Sequence, residues 1–440
     1  MKILIISAEV WRDDTNGGNV LSNLFSGFDA EFVQIYCNPG TPKNNICKKY
    51  FQMTDSMIIN NLLKRRRIGR AFGGQSLDKK NIDSSIPKQE NKKFYNFFRK
   101  YNLEVFYLIK ELMWKLASWK NDYLESFITE FAPDVIFAPC YGSHAMLSIT
   151  RYISTVTGKP IVSYISDDHY SLKQFRLSIL FWCNRFFLRR NLRHTFNYYN
   201  FVYTMTQEQL EEFKRFKVPM KILRKGVCID SIPIKHKINT PIKIVYAGGI
   251  YCGRWKTLQM LVDSIKQING CDEPKIILDI YTGNNLTSKQ KKVLNDGRNS
   301  FVHGVVSQTD LKQIYTNSDV ALHVESFDLK YRLLTRLSFS TKIIDCLSSG
   351  CAVMAIAWIN HSGLIYLKQK DAAIIIDDKD LIWSSLNQLL DNTELINIYA
   401  DKAYNCCKTN HNIKVVQREL YEDFNRIIFD KTGLLKQKSI

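Results

Sequence analysis

The chain spells one structural phrase twice, and that repetition limits its fold more than any other feature. Residues 2–7, KILIIS, form a short apolar run rich in β-branched residues, the composition of a strand covered on both faces of a parallel sheet. A polar loop carrying Asn16, Gly17 and Gly18 follows, then the helix-compatible VLSNLFSGF. From residue 241 the phrase restarts as PIKIVYAGGIYCGRWKTLQMLVDSI, again a strand, a glycine loop with Gly248 and Gly249, and a helix. Strand, glycine turn and helix make the opening half of a Rossmann-like unit, where missing side chains let a ligand approach the backbone. Two such openings in 440 residues predict an α/β protein with two Rossmann-like domains. Neither loop has the G-x-G-x-x-G spacing of a dinucleotide fold, so the glycines alone name no ligand.

Ligands of open α/β sheets sit beyond the carboxyl ends of strands, which directs attention to the loops there. KPIVSYIS runs into Asp167, Asp168 and His169, a carboxylate and imidazole group able to orient an acceptor or manage its proton. Two acids and a histidine on one loop are also metal-ligand chemistry, but too few donors to define a metal site. In the second half, KIILDIYTG ends at Gly283 and DVALHVES ends near Glu325. Arg254 and Lys256 follow the second glycine loop with the charge to neutralise a diphosphate, Arg254 with the geometry to grip it bidentately.

The densest chemistry lies in SFSTKIIDCLSSG, from Ser338 to Gly350. Ser338 and Ser340 favour turns and helix N-caps, and Thr341 adds a third hydroxyl beside them. Lys342 and Asp345 then fall three residues apart on one predicted helical face, and Gly350 ends the helix before the apolar strand VMAIA. A helix N-terminus with a lysine suits a phosphate, and Asp345 is placed to accept from sugar or ribose hydroxyls.

This window resembles glycosyltransferase family 4 and its GT-B relatives, whose usual form carries two glutamates separated by seven residues. Asp345 matches the second conservatively; the first position is Leu337, with Lys342 or Glu325 left to supply its contact to the donor sugar. Gly17 and Gly18 match the family's first glycine pair, and Arg254 its arginine, while Lys256 follows at a shorter spacing than the family's lysine. Gly304 and the exit Lys225-Gly226-Val227 also fit, and VVQRELYEDFNRII matches the closing helix that crosses back to the first domain.

The resemblance implies a cleft between an acceptor-side domain over residues 1–228 and a donor-binding domain over 241–412, with a crossover helix and tail over 413–440. It implies metal-independent transfer, with retention, of a sugar from a nucleotide-diphosphate sugar to a carbohydrate or lipid-linked acceptor hydroxyl, in surface polysaccharide or glycoconjugate assembly. No cofactor is expected beyond the donor substrate. Asp168, His169 and Lys342 become the catalytic candidates. Gly17, Gly18, Gly248, Gly249, Arg254, Lys256, Gly283, Glu325, Ser340, Thr341, Lys342 and Asp345 become the donor-binding ones. A nucleotide-sugar epimerase of the same fold, or an inert binding or scaffold protein that kept it, are the alternatives.

The formal net charge of +19 points to an anionic partner, and its location is uneven. Residues 41–120 hold 18 Lys plus Arg against 6 Asp plus Glu, including Lys64-Arg65-Arg66-Arg67. Within this basic insertion Phe94, Phe98, Tyr101, Val105, Leu108, Leu112, Leu116 and Trp119 recur at helical steps and predict one apolar stripe, either packed on the sheet with the charges as a solvated face or lying in a membrane interface. From His169 to Gln207 there is no acidic residue, while Arg185, Arg189, Arg190 and Arg193 recur at near-helical steps. An anionic membrane surface fits this pattern; no nucleic-acid module is evident, and no nucleic acid is expected. With no secretory pattern at the start, no run of membrane-spanning length and eleven scattered cysteines, the expected location is cytoplasmic, extending to peripheral attachment on the inner membrane face.

Overall fold

The structure, a computed structural model, describes residues 1–73, 104–233 and 237–437. Its first sheet contains β1 (Lys2–Ser7), β2 (Glu31–Tyr36), β3 (Lys49–Gln52), β4 (Arg70–Gly73), β5 (Val135–Pro139), β6 (Ile161–Ile165), β7 (Tyr199–Thr204) and β8 (Met220–Ile222). Their order is 4-3-2-1-5-6-7-8, parallel throughout except for β4, which runs antiparallel to β3. The run KILIIS takes the centre: Ile3 and Ile5 join one core, Leu4 and Ile6 the core on the opposite face, and all four are fully buried. This is the two-sided burial that an unalternating apolar strand requires.

The second sheet is wholly parallel. It comprises β9 (Ile242–Ala247), β10 (Ile276–Tyr281), β11 (Ser300–His303), β12 (Val320–Val324), β13 (Ala352–Ile356) and β14 (Ile374–Ile376), in the order 11-10-9-12-13-14. In each sheet the strand order reverses at one place, between β1 and β5 and between β9 and β12. At such a switch point the loops leave in opposite directions and open a crevice beyond the carboxyl ends of the strands. The first crevice is therefore edged by the segments after β1 and β5, the second by those after β9 and β12.

The chain closes by returning to where it began. Helix Glu394–Asn410 packs on β13, and the next helix, Ile413–Gln437, lies against Asn16–Phe25 of the first domain. Phe424 sits 6.0 Å from Phe25 and 6.2 Å from Phe137, ring centre to ring centre. Tyr203 Oη donates to Asp423 Oδ2 at 2.8 Å, and Gln417 Nε2 to the Asn23 carbonyl at 2.6 Å. The expected crossover helix is present, and it fastens the last segment of the chain to the first sheet.

Two local expectations are corrected. Gly17 and Gly18 lie in the first turn of helix Asn16–Phe25, not in a loop; Thr15 caps that helix by accepting from the Gly18 N–H at 3.3 Å. A Cβ at residue 18 would fall 2.0 Å from the Arg12 carbonyl oxygen, so glycine is required there by close approach. Of the two readings of the apolar stripe, the one that packs it on the sheet is overturned for the described residues. Phe94, Phe98 and Tyr101 lie outside the described residues, but on helix Glu104–Leu116 it is Val105, Leu112 and Leu116 that face water, whereas Glu111 and Trp114 are buried. Hydrogen bonds select that buried face. Glu111 accepts from Ser143 Oγ and the Ala145 N–H, both at 2.8 Å, and Trp114 Nε1 donates to Asp55 Oδ1 at 2.7 Å.

Candidate active site

The two crevices open toward each other and form one cavity of about 920 Å³ between the domains. Its first-domain wall contains Ser7–Val10, Gly17 and Gly18 after β1, Pro139–Gly142 after β5, and Asp167–His169 after β6. Its second-domain wall contains Tyr251, Cys252 and Arg254 after β9, Glu325 after β12, and Ser338–Lys342 before β13. The loop after β1 is held from below by a buried glutamine. Gln34 Nε2 donates to Ser7 Oγ at 2.6 Å and to the Glu9 carbonyl at 3.0 Å, and Gln34 Oε1 accepts from the Trp11 N–H at 2.9 Å.

On the second-domain wall, Arg254 opens helix Arg254–Asn269 and grips Glu325 with two hydrogen bonds, Nε to Oε2 at 3.1 Å and Nη2 to Oε1 at 2.6 Å. Glu325 is almost fully buried, with His323 Nε2 at 3.9 Å, and its pKa is lowered by the Arg254 charge against the opposing effect of burial. Glu325 therefore remains an anion, and it is committed to Arg254 rather than free for a sugar. Among the described residues, Arg254 Nη1 is buried without a hydrogen-bond partner.

Lys342 occupies the same wall under different conditions. Burial, and then the nearby positive charge of Arg254, lower its pKa to about 8. Its ammonium lies over the Tyr246 ring at 5.9 Å and so close to Gly248 that a Cβ there would come within 2.3 Å of Nζ. Gly248 thus makes room for a lysine as much as for a ligand. Among the described residues no carboxylate comes within ion-pair distance of Lys342, whereas Lys256 bonds Asp328 at 2.7 Å on the exterior.

Asp168 is deeply buried and its oxygens are engaged. It accepts from the Ser171 N–H at 2.7 Å and the Tyr170 N–H at 3.1 Å, from Ser171 Oγ, from Arg185 Nη2 at 3.4 Å and from Arg336 Nη2 at 3.0 Å. Arg336 comes from the second domain, so Asp168 forms part of a bridge across the cleft. Asp167 adds a second, accepting from Ser338 Oγ at 3.3 Å. The hydroxyl, amide and arginine contacts keep the Asp168 pKa below its ordinary value although burial acts to raise it. Beside it, His169 stands against Gly142, and burial lowers the imidazole pKa, leaving a neutral ring on the cavity wall.

The sequence candidates thus divide. Gly17, Gly18, Asp168, His169, Arg254, Glu325, Ser340, Thr341 and Lys342 converge on the cavity. Lys256 does not reach it, and Gly283 instead stands against the Val305 side chain. Asp345 pairs with Lys225, at the exit from the first domain, rather than sharing the cavity with Lys342. The helix Lys342–Leu347 has six residues and no side-chain cap, so neither Ser338 nor Ser340 caps it and its dipole is slight; the charge at this point is that of the lysine. Sequence reasoning missed Arg336 and Gln34. Both partner residues far away in the chain, and neither belongs to a motif.

Two Rossmann-like domains facing a cleft, closed by a helix that crosses back, define the GT-B fold. Solved GT-B structures match the chain over nearly its full length at low sequence identity. HepE from Anabaena, in complex with UDP, superposes with a TM-score of 0.62 at 13% identity, over 97% of this chain and 100% of its own. Sucrose-phosphate synthase from Thermosynechococcus elongatus gives 0.60 at 11%, over 98% and 100%, and TarM 0.60 at 11%, over 96% and 98%. No family model matches the chain, and no curated protein matches it.

Proposed function

We propose that this protein is a glycosyltransferase that moves a sugar from a nucleotide-diphosphate donor to an acceptor hydroxyl. The observation that carries this reading is Lys342, a half-buried cation on the donor-side wall with no carboxylate within ion-pair reach among the described residues. A desolvated ammonium beside a second cation is costly until an anion joins it. A diphosphate would supply that anion, bound by Lys342 and by the spare Nη1 of Arg254. HepE, of the same fold, has been solved with UDP and with UDP-glucose.

In this reading the bond from the anomeric carbon to the diphosphate breaks, the acceptor oxygen bonds to that carbon, and the acceptor proton passes to the leaving phosphate. Lys342 and Arg254 stabilise the charge that develops on the diphosphate, the work a divalent ion performs in other transferases. His169, neutral at ordinary pH, orients the acceptor and can take up its proton in passing. Asp168, bound on both oxygens, positions the loop that carries His169 and does not act as the base. Retention of configuration, and service in surface polysaccharide or glycoconjugate assembly at a membrane face, complete the proposal.

A melting-temperature screen of the full chain with UDP, GDP and their sugars tests it, because a ligand that binds only the folded state raises that temperature. A UDP- or GDP-sugar should stabilise the protein, Lys342→Ala should lower donor turnover about 10²–10³-fold, and Lys256→Ala should leave it unchanged. Equal turnover in the Lys342→Ala variant and the parent would refute the assignment.

A further inference from the structure

Three neighbouring segments of the first domain leave large apolar side chains in water. Ahead of helix Ile179–Phe196, Leu177 is 90% exposed, and on the helix Ile179, Leu180, Phe186 and Phe187 are exposed at helical spacing, Ile179 by 79%. On helix Glu104–Leu116 the exposed apolar residues are Val105, Ile109, Leu112 and Leu116, at steps of four, three and four. Helix Asp55–Lys64 adds Leu63, 75% exposed, near its end. Helix Glu104–Leu116 packs against both of the others, and Asp55 ties it to Asp55–Lys64 through Trp114 and Lys110. The exposed residues therefore belong to one row of helices.

The charge on this row has one sign. Lys64, Arg65, Arg66 and Arg67 are exposed at one end, Lys115 in the middle, and Lys173, Arg190 and Arg193 at the other. The acids of the three segments are Asp55, Glu104 and Glu111, and none is exposed. Asp55 is paired with Lys110, and Glu111 is bonded to Ser143 and Ala145. On helix Ile179–Phe196 the exposed face changes along its length from apolar, through Phe187, to basic at Arg190 and Arg193. An apolar face flanked by uncompensated cations is complementary to a bilayer whose surface is negative and whose interior is hydrocarbon. No described helix is long and apolar enough to cross a membrane, so the contact would be with one face of the bilayer.

We propose that this row of helices is the protein's docking surface for an anionic lipid bilayer. Glu104, Tyr107, Arg176 and Phe181, from the same segments, also line the cavity, so a bilayer seated here would adjoin its first-domain side. A lipid-linked acceptor would then enter laterally, a consequence that rests on the proposed sugar transfer; the lipid contact itself does not.

The test is sedimentation of the full chain with vesicles of phosphatidylcholine alone and of phosphatidylcholine with phosphatidylglycerol. The protein should sediment with the anionic vesicles and remain largely in solution with the neutral ones. Arg190→Ala and Arg193→Ala should each lower partitioning about fivefold. The triple variant Leu177→Ser, Ile179→Ser, Phe186→Ser should lose binding while keeping the parent's melting temperature. Wild-type protein that stays in solution with anionic vesicles overturns the proposal. So does a concentration-dependent dimer that the triple variant abolishes without vesicle binding, which would assign the face to a second copy. Vesicle binding without donor stabilisation would leave the docking surface standing and remove the sugar-transfer reading.

Discussion

On the second-domain wall of the cleft, Glu325 accepts both of its close hydrogen bonds from Arg254 of the same domain. On the opposite wall Asp168 accepts from Arg185 of its own domain and from Arg336 of the other. Both are buried guanidinium–carboxylate groups, but only the second depends on how the domains are set. The first fixes a cation in place before any ligand arrives, which is the condition for electrostatic stabilisation without reorganisation. The second holds the walls together on the first-domain side, and its acid is thereby bound on both oxygens. A buried carboxylate beside a cavity thus has two meanings, and the domain that supplies its partner distinguishes them.

Removing one partner from each group tests the contrast. Arg254→Ala leaves Glu325 buried without its cation and should cost about 3–5 kcal/mol of stability, with Arg254→Met combined with Glu325→Gln recovering much of it. Denaturant unfolding checks this; an unchanged midpoint for the single variant would mean that the pair is not an internal brace. Arg336→Ala should cost less, about 1–3 kcal/mol, because Arg185 and the Ser171 and Tyr170 amides still serve Asp168. Its distinctive signature should be a wider spread of interdomain distances in solution scattering, with donor binding retained.

A pH dependence belongs to the second-domain wall alone. Lys342 titrates at about 8 in the folded chain against an ordinary 10.5, so the unfolded chain binds the extra proton between those values and stability rises with pH across that window. Below it both states carry the proton and the burial cost of the cation is complete. Donor affinity should run the other way, weakening above about 8 by at most about tenfold per pH unit as the ammonium is lost. Titration calorimetry with a nucleoside diphosphate should show this slope in the parent and a flatter profile in Lys342→Arg; a flat parent profile would place the diphosphate elsewhere.

Much of the fold was legible because it rests on local grammar. KILIIS and IKIVYA are buried strands by composition, and each is followed by glycines and a helix in the structure as in the sequence. Arg254 stood out as a cation just beyond a glycine loop and Lys342 as a cation opening a predicted helix among hydroxyls, and the structure places both on the cavity wall. Lys256 and Asp345 lie off the cavity for different reasons: two residues beyond Arg254 the helix has turned Lys256 toward Asp328, whereas Asp345 shares the face of Lys342 but sits about 4.5 Å further along the helix, where it meets Lys225. The apolar stripe of the basic insertion was legible in its period, but the sequence left open whether that face packs on the sheet or turns outward, as Val105, Leu112 and Leu116 do. Periodicity gives spacing, whereas the buried side was selected by the hydrogen bonds of Glu111 and Trp114 to distant residues.

By itself the sequence determined the duplicated α/β plan, the crossover helix and which cations flank the cleft, since each follows from short-range pattern and residue chemistry. Tertiary structure decided which of those groups remain free. Asp168 and Glu325 lie just beyond the carboxyl ends of β6 and β12 and Asp345 on the helix before β13, yet each is bound to an arginine or lysine, of which Arg254 lies 71 residues from its partner, Lys225 120 and Arg336 168. Lys342 alone among the charged candidates on the cavity wall has no ion-pair partner among the described residues. The physical reason is range: helix and strand formation is governed within a few residues, whereas the pairing that spends or spares a charge is settled only when distant segments are buried together.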